Sequence, residues 1–157
     1  METTNTYTQL YVQFVFAVKY RSGLIQIDWE EQLHKFITSI VQNRKNKLLA
    51  INSASDHLHL LVGLNPNQSC SALMEQVKGK SSLFINEKKF TTKRFRWQEG
   101  FGVFSYSKSQ VDYVVKYILN QKEHHKKMSF IEEYIDLLKE FGIVYDERYI
   151  FHEPIDD

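Results

Sequence analysis

The chain has 157 residues, 43% hydrophobic and 25% charged, which is typical of one globular domain and excludes a disordered polymer. Its single cysteine, Cys70, excludes an internal disulfide and a cysteine-rich zinc site within one chain. The polar N-terminus lacks a secretory signal pattern, and no apolar run approaches the roughly 20 residues of a membrane helix. We therefore expect a cytoplasmic protein without membrane contact, folded as one domain over residues 1–157 with its core at about 7–151.

The first predicted elements are a strand, a helix and a hairpin. Alternating apolar residues predict a long strand over 7–19. Asp28, three residues before Glu31, has the spacing of a capping box that opens a helix of about four turns. Residues 48–53 and 57–64 are typical of two strands joined by a short turn, which predicts a hairpin.

The second half of the chain adds a helix over about 71–88, a short alternating run at 102–106 and two further helices. Ser109 and Ser129 are the expected caps of these two helices, the first of which should continue to about His124. The order β-α-β-β-α-β followed by two helices predicts an α+β fold. We expect a ferredoxin-like (RRM-like) antiparallel sheet with helices packed on one face and a C-terminal helical extension.

Two histidines share one side of the strand predicted at 57–64. In the run DHLHLLV, the alternation of a strand places His57 and His59 on one side and leucines on the other, so both imidazoles can point outward together. Residues two apart are about 6.5 to 7 Å apart along a strand, near enough for both rings to reach one divalent metal ion. The alternative is a histidine pair that has no function. The sequence does not fit a histidine-triad phosphodiesterase, because that class would need a third histidine where this chain has Leu61.

A tyrosine on the helix after Ser109 is a candidate nucleophile. Tyr113, Tyr117 and Gln121 are four residues apart and therefore lie on one side of a helix. A phenolate can attack a DNA phosphorus and conserve the bond energy in a phosphotyrosine ester. Because a phenol has a pKa of about 10, a divalent cation that polarises the phosphate would assist the attack. Packing at the core edge is the alternative, but Gln121 favours a chemical role for Tyr117.

The net charge of +1 conceals a division between a basic and an acidic part. Residues 1–128 have 18 Lys and Arg against 10 Asp and Glu, whereas residues 129–157 have 2 against 9. The basic segment, residues 78–98, has a net charge of +6, and Phe90, Phe95 and Trp97 are interleaved with its basic residues, which favours phosphate contact and base stacking over a merely solvated face. The acidic part is expected to pack, to cover a dimer interface or to screen the site. The residues predicted to contact DNA are Lys78, Lys80, Lys88, Lys89, Lys93, Arg94 and Arg96.

These motifs together resemble the single-tyrosine HUH transposases of small bacterial and archaeal insertion sequences, the IS200-like transposase family. The resemblance depends on DHLHLLV on a strand, RFRWQEGFGVFSYS after the basic residues, and YILNQ on a helix whose tyrosine follows the second histidine by 58 residues. It covers about residues 7–151.

The resemblance implies that His57, His59 and Gln121 ligate Mg²⁺ or Mn²⁺. It also implies that Tyr117 forms a 5′-phosphotyrosine and leaves a free 3′-OH, while Tyr113 matches no catalytic position. The implied partners are single-stranded DNA with hairpin ends and a second copy of the chain, in a homodimer with composite active sites. A non-catalytic DNA-binding module and a metal-dependent nuclease that uses water are the alternatives.

Overall fold

The computed structural model describes residues 5–157, so the first four residues of the polar N-terminus and of the expected domain lie outside the described residues. Within that range, no helix is both long and apolar enough to cross a membrane. The strands and α-helices of the described range are β1 Tyr11–Ala17, α1 Ile27–Asn43, β2 Lys47–Ser53, β3 His57–Gly63, α2 Cys70–Lys88, β4 Gly102–Tyr106, α3 Val111–Leu119, α4 Gln121–His124 and α5 Phe130–Glu140.

The four strands form one sheet in the order β2-β3-β1-β4, and every neighbouring pair is antiparallel. This confirms the predicted α+β, ferredoxin-like arrangement. Phe14 pairs with Leu60, whereas Val15 pairs with His59, so the register gives the sheet a leucine face and a histidine face. A slip of one residue would exchange these faces and bury the imidazoles among the leucines.

The leucine face is covered by α1 and α2. Their apolar residues are buried with those of β1 and β3 in one core, and burial of each such side chain contributes about 1.5 to 3 kcal/mol. This packing fixes which side of β3 faces away from α1 and α2. The fully buried core residues on these four elements include Phe14, Phe16, Leu33, Ile37, Leu58, Leu60, Leu73 and Val77.

The histidine face is covered by the C-terminal helices. Ala50 and Leu61 of the sheet pack with Val114 and Ile118 of α3. α5 approaches β4 so closely that a Cβ atom at Gly102 would lie 2.7 Å from a ring carbon of Tyr134, which explains the glycine there. The expectation that the strand's imidazoles point outward into solvent is therefore wrong, because these helices bury both rings.

Of the three predicted N-terminal caps, one is confirmed and two are wrong. Asp28 does not cap α1; the N-cap is Gln26, whose side chain makes no capping hydrogen bond. The capping box expected at Ser109 forms at Ser107 instead, one short 3₁₀ turn before α3. Ser129 caps α5 as predicted, by accepting a hydrogen bond from the backbone N–H of Glu132.

Candidate active site

The histidine pair is buried, and a polar side chain orients each ring. His57 and His59 are both 0% exposed, and their ring centroids are 5.0 Å apart. His57 Nδ1 donates to Asp56 Oδ1 at 2.7 Å, which directs Nε2 into the site. His59 Nδ1 is 2.7 Å from Gln13 Nε2 and likewise leaves Nε2 facing inward. Partners of this kind fix ring orientation at metal centres.

A break between α3 and α4 brings Tyr117 and Gln121 to the histidines. Asn52 of β2 donates to the backbone carbonyls of Ile118 and Leu119, at 3.0 Å each, and so holds the end of α3 against the sheet. The continuous helix expected to about residue 124 is wrong for this reason. Gln121 Oε1 lies 3.0 Å from His57 Nε2, and the half-buried Tyr117 ring is 6.0 Å from the His59 ring. The structure thus brings together the four residues predicted to form the site.

Glu133 of α5 lies at the centre of this cluster, although sequence analysis did not single it out. Its side chain is 2% exposed, and Oε1 is 2.9 Å from His59 Nε2 and 3.5 Å from His57 Nε2. Its other oxygen, Oε2, accepts hydrogen bonds from Gln121 Nε2 at 3.1 Å and from the Tyr117 hydroxyl. One carboxylate therefore contacts all four predicted site residues.

Two histidines at the end of α4 complete the cluster. His125 Nδ1 donates to the backbone carbonyl of Met128 at 2.8 Å, and its Nε2 is 3.1 Å from Glu133 Oε1. His124 Nε2 lies 3.3 Å from Glu133 Oε2. Because Lys126 and Lys127 follow directly, a solvated helix end would be expected here, but the His125 side chain is only 11% exposed.

Burial and hydrogen bonding shift the pKa values of these groups in opposite directions. Burial lowers the pKa of His57, but hydrogen bonds to Asp56 and Glu133 outweigh it and raise this pKa to about 9. Burial dominates at His59 and lowers its pKa. Burial opposes ionisation of Glu133, yet hydrogen bonds from the three histidines around it hold its pKa well below its usual range.

The phenol of Tyr117 is held in its neutral form. Burial, followed by the negative charge of Glu133, raises the pKa of Tyr117 well above its usual range. A cation in the cluster would counter both effects. The donor atoms present fit a divalent metal ion, because they combine imidazole nitrogens with amide and carboxylate oxygens. The residues that offer them are His57, His59, Gln121, His125 and Glu133.

A cavity of about 220 Å³ opens beside the Tyr117 ring, between α3 and α5. Its walls are partly aromatic, and it reaches from Glu133 of the histidine cluster past the Tyr117 ring. The lining includes Tyr106, Val114, Tyr117, Met128, Glu133 and Leu137.

The basic segment is only partly free for DNA contact. The half-buried Lys78 donates from Nζ to the backbone carbonyls of Gln98 and Gly100, at 2.8 and 2.6 Å, and burial lowers its pKa. Lys93 donates to the backbone carbonyl of Asp157 at 2.9 Å. Lys80, Lys88, Lys89, Arg94 and Arg96 are exposed.

Two of the three aromatic residues expected to stack with bases are core residues instead. Phe95 is 1% and Trp97 is 7% exposed. The Trp97 ring packs on Phe16 of the leucine face, with centroids 4.7 Å apart, and its Nε1 donates to Ser81 of α2. The basic segment is therefore joined to the side of the sheet that faces away from the histidines.

Comparisons with known proteins agree with this fold and indicate a family. The family model described as "Transposase IS200 like" matches residues 6–121. The transposase for insertion sequence element IS200 of Salmonella typhimurium strain LT2 is 28% identical over 118 residues, which are 71% of this chain and 76% of that protein. The transposase of the same description from Salmonella typhi matches to the same extent.

Two solved structures have a similar fold, each with a TM-score of 0.60. One, assigned as a transposase of Deinococcus radiodurans R1, is 20% identical, and the match covers 77% of this chain and 97% of that chain. The other is a REP-associated tyrosine transposase bound to a REP hairpin. It is 14% identical, and the match covers 98% of this chain and 96% of that chain. Since the family model matches well over half of its length, the chain belongs to the IS200-like transposase family.

Proposed function

We propose that this protein is a transposase that cleaves and rejoins single-stranded DNA at insertion-sequence ends through a 5′-phosphotyrosine on Tyr117. One observation carries the proposal: in a member of a transposase family, the Tyr117 hydroxyl lies in the same buried cluster as His57, His59 and Gln121. Position and chemistry agree, because a nucleophile and the ligands of an electrophilic metal must meet at one phosphate.

The proposed cofactor is Mg²⁺ or Mn²⁺, held by His57, His59 and Gln121. When bound, such an ion supplies Lewis acidity to the scissile phosphate. Asp56 and Gln13 orient the imidazoles, and the hydrogen bonds from Asn52 hold the end of α3 and thereby position the phenol.

In the proposed reaction, Tyr117 Oη forms a bond to phosphorus while the bond from phosphorus to the 3′ oxygen breaks. The phenol loses its proton, the 5′ phosphate stays on the protein, and the departing strand gains a proton to end in a 3′-OH. Rejoining reverses these bond changes with a new 3′-OH. The bond energy is conserved in the phosphotyrosine, so no nucleotide cofactor is required.

The proposed substrate is single-stranded DNA with hairpin ends. The structural relative bound to a REP hairpin supports this partner, as do the exposed basic residues of the basic segment. Since that segment lies away from the histidines, we propose that it holds a hairpin stem while the cleaved strand enters beside Tyr117. A homodimer with composite sites, as the resemblance implies, would require α3 to swing out at the break after Leu119.

A denaturing gel of labelled hairpin DNA tests the proposal. With Mg²⁺ or Mn²⁺, we expect wild type and Tyr113→Phe to form a covalent protein–DNA adduct and Tyr117→Phe to form none. Tyr113 is the matched control because it is 74% exposed one turn earlier on α3. Cleavage by Tyr117→Phe with release of a free 5′-phosphate would indicate a nuclease that uses water. Binding without cleavage, unaffected by chelator, would indicate a non-catalytic module.

A further inference from the structure

We propose that His125 and Glu133, which lie beyond the family match at residues 6–121, are further ligands of the metal ion. The ion would then have three imidazole nitrogens and two oxygens as protein ligands. A site of this composition should bind Mn²⁺ more tightly than Mg²⁺. The inference deepens the proposed function, because it concerns the same site.

The first support is the direction of the imidazole nitrogens. His57 donates from Nδ1 to a carboxylate, and His125 donates from Nδ1 to a backbone carbonyl, neither of which can donate in return. In both rings, Nε2 therefore faces Glu133. This arrangement, with the outer nitrogen bonded to an oxygen and the inner one directed at a common point, is typical of histidine ligands.

The second support is the spacing of the donor atoms. One ligand atom from each of His57, His59, His125 and Glu133 lies within 4.8 Å of the others. Metal–nitrogen bonds of about 2.1 Å place neighbouring ligands about 3 Å apart and opposite ones about 4.2 Å apart. Glu133 Oε1 is 2.9, 3.1 and 3.5 Å from the three inward nitrogens, so small side-chain movements would bring the atoms around one ion.

The third support is the position of Glu133 in the fold. Ser129 caps α5, and Phe130 of its first turn stacks on the His57 ring at 4.1 Å. Tyr134 is held against Gly102 of β4. Glu133 lies between these two anchors and is directed at the histidines, so α5 carries its carboxylate to the site as part of the packed core.

The expected preference for Mn²⁺ follows from ligand chemistry. Mg²⁺ selects oxygen ligands and retains several waters, whereas imidazole nitrogens bind transition metals better. Three imidazoles among five donors therefore favour Mn²⁺. With only His57, His59 and Gln121 as ligands, the site would have fewer nitrogens and two fewer protein donors.

Titration of the protein with Mn²⁺ in the absence of DNA tests the inference. Binding is measured as the loss of the EPR signal of free Mn²⁺. We expect one Mn²⁺ per chain, displaced by Mg²⁺ only in large excess, and affinity lowered about tenfold or more in Glu133→Gln and in His125→Gln. Glu132→Gln is the charge-matched control on the exposed side of α5, and His152→Gln is the control for an exposed histidine. Both controls should bind Mn²⁺ as wild type does.

His125→Gln keeps the test decisive if Glu133→Gln fails to fold. His125 lies outside the helices, so its replacement disturbs packing less than replacement of Glu133. Affinities of Glu133→Gln and His125→Gln equal to that of the controls would overturn the inference, and so would equal affinities for Mg²⁺ and Mn²⁺. Failure of wild type to form the DNA adduct in Mn²⁺ would instead count against the proposed function. The binding result and the adduct result are therefore read separately.

Discussion

The basic segment and the acidic C-terminal part reverse the roles that their charges suggest. The basic segment, residues 78–98, is joined to the leucine face through Trp97, away from the histidines. The acidic part, residues 129–157, supplies Glu133 to the centre of the histidine cluster. Net charge therefore indicates where exposed cations lie, but not where the candidate site forms.

The difference arises from how each charge is compensated. The exposed ammonium and guanidinium groups of the basic segment keep their hydration and remain available to phosphates. A buried carboxylate must instead be paired, because desolvation of an unpaired charge costs several kcal/mol. Glu133 is paired with four imidazoles, a phenol and an amide, so α5 and the histidine face should respond together to any change in charge.

The largest expected effect is a dependence of metal-free stability on pH. A His57 pKa of about 9, against 6.5 in the unfolded chain, stabilises the fold fully below about pH 6.5. This contribution is lost as pH rises through 9 and amounts to about 3 kcal/mol at most. The lowered pKa of Glu133 acts in the opposite sense: its contribution is present above about pH 4.5 and is lost on acidification.

Denaturant unfolding of the metal-free protein between about pH 7.5 and 9.5 measures this effect. The lowered pKa of His59 acts in the opposite sense, but its contribution is already complete below that range. Wild type and Glu132→Gln should both lose stability as pH rises. Glu133→Gln should lose less, because a hydrogen bond that raises the His57 pKa is gone. Identical pH profiles for Glu133→Gln and wild type would show that α5 and the histidines are not coupled.

The sequence was sufficient for the fold because local patterns and long-range packing agree there. Alternation in β1 and β3 identified the leucine face, and the order of elements identified the sheet. The main error concerned exposure. A strand pattern shows that His57 and His59 share a side, but whether helices cover that side depends on contacts more than 60 residues away, such as His57 with Gln121.

The site was predicted only where its residues belong to a short motif. Asp56 adjoins the histidine pair in DHLHLLV, so its role was within reach of sequence reasoning. Glu133 left a weaker signal: it is a charged residue between Phe130 and Tyr134, on the side of α5 that also carries Leu137. An acid within an apolar stripe indicates a buried partner, and that was the available clue. Nothing in the sequence alone identifies the partner.

A smaller effect is expected from the carboxylate that the basic part contributes to the same site. Asp56→Asn removes the charge that orients His57 while keeping a similar shape. We expect Mn²⁺ affinity to fall about tenfold, as for other partners of metal ligands. Isothermal titration calorimetry of wild type and Asp56→Asn measures the change. If Glu133→Gln weakened binding while Asp56→Asn did not, metal affinity would depend on Glu133 of the acidic part and not on the orientation of His57 by Asp56.

The smallest expected effect concerns the basic segment itself. Arg94→Ala and Arg96→Ala should each weaken hairpin DNA binding and lower the slope of log affinity against log salt by about 0.7 to 0.9, the value for one phosphate contact. Lys78→Met should change this slope less, because two backbone carbonyls already engage its ammonium. Lys35→Ala, on exposed α1 surface, is the control. Fluorescence anisotropy at several salt concentrations measures the slopes. Equal slopes for Arg94→Ala, Arg96→Ala and Lys35→Ala would mean that the exposed charge of the basic segment does not hold DNA, so that of the two charged regions only the acidic part, through Glu133, would contribute to the proposed reaction.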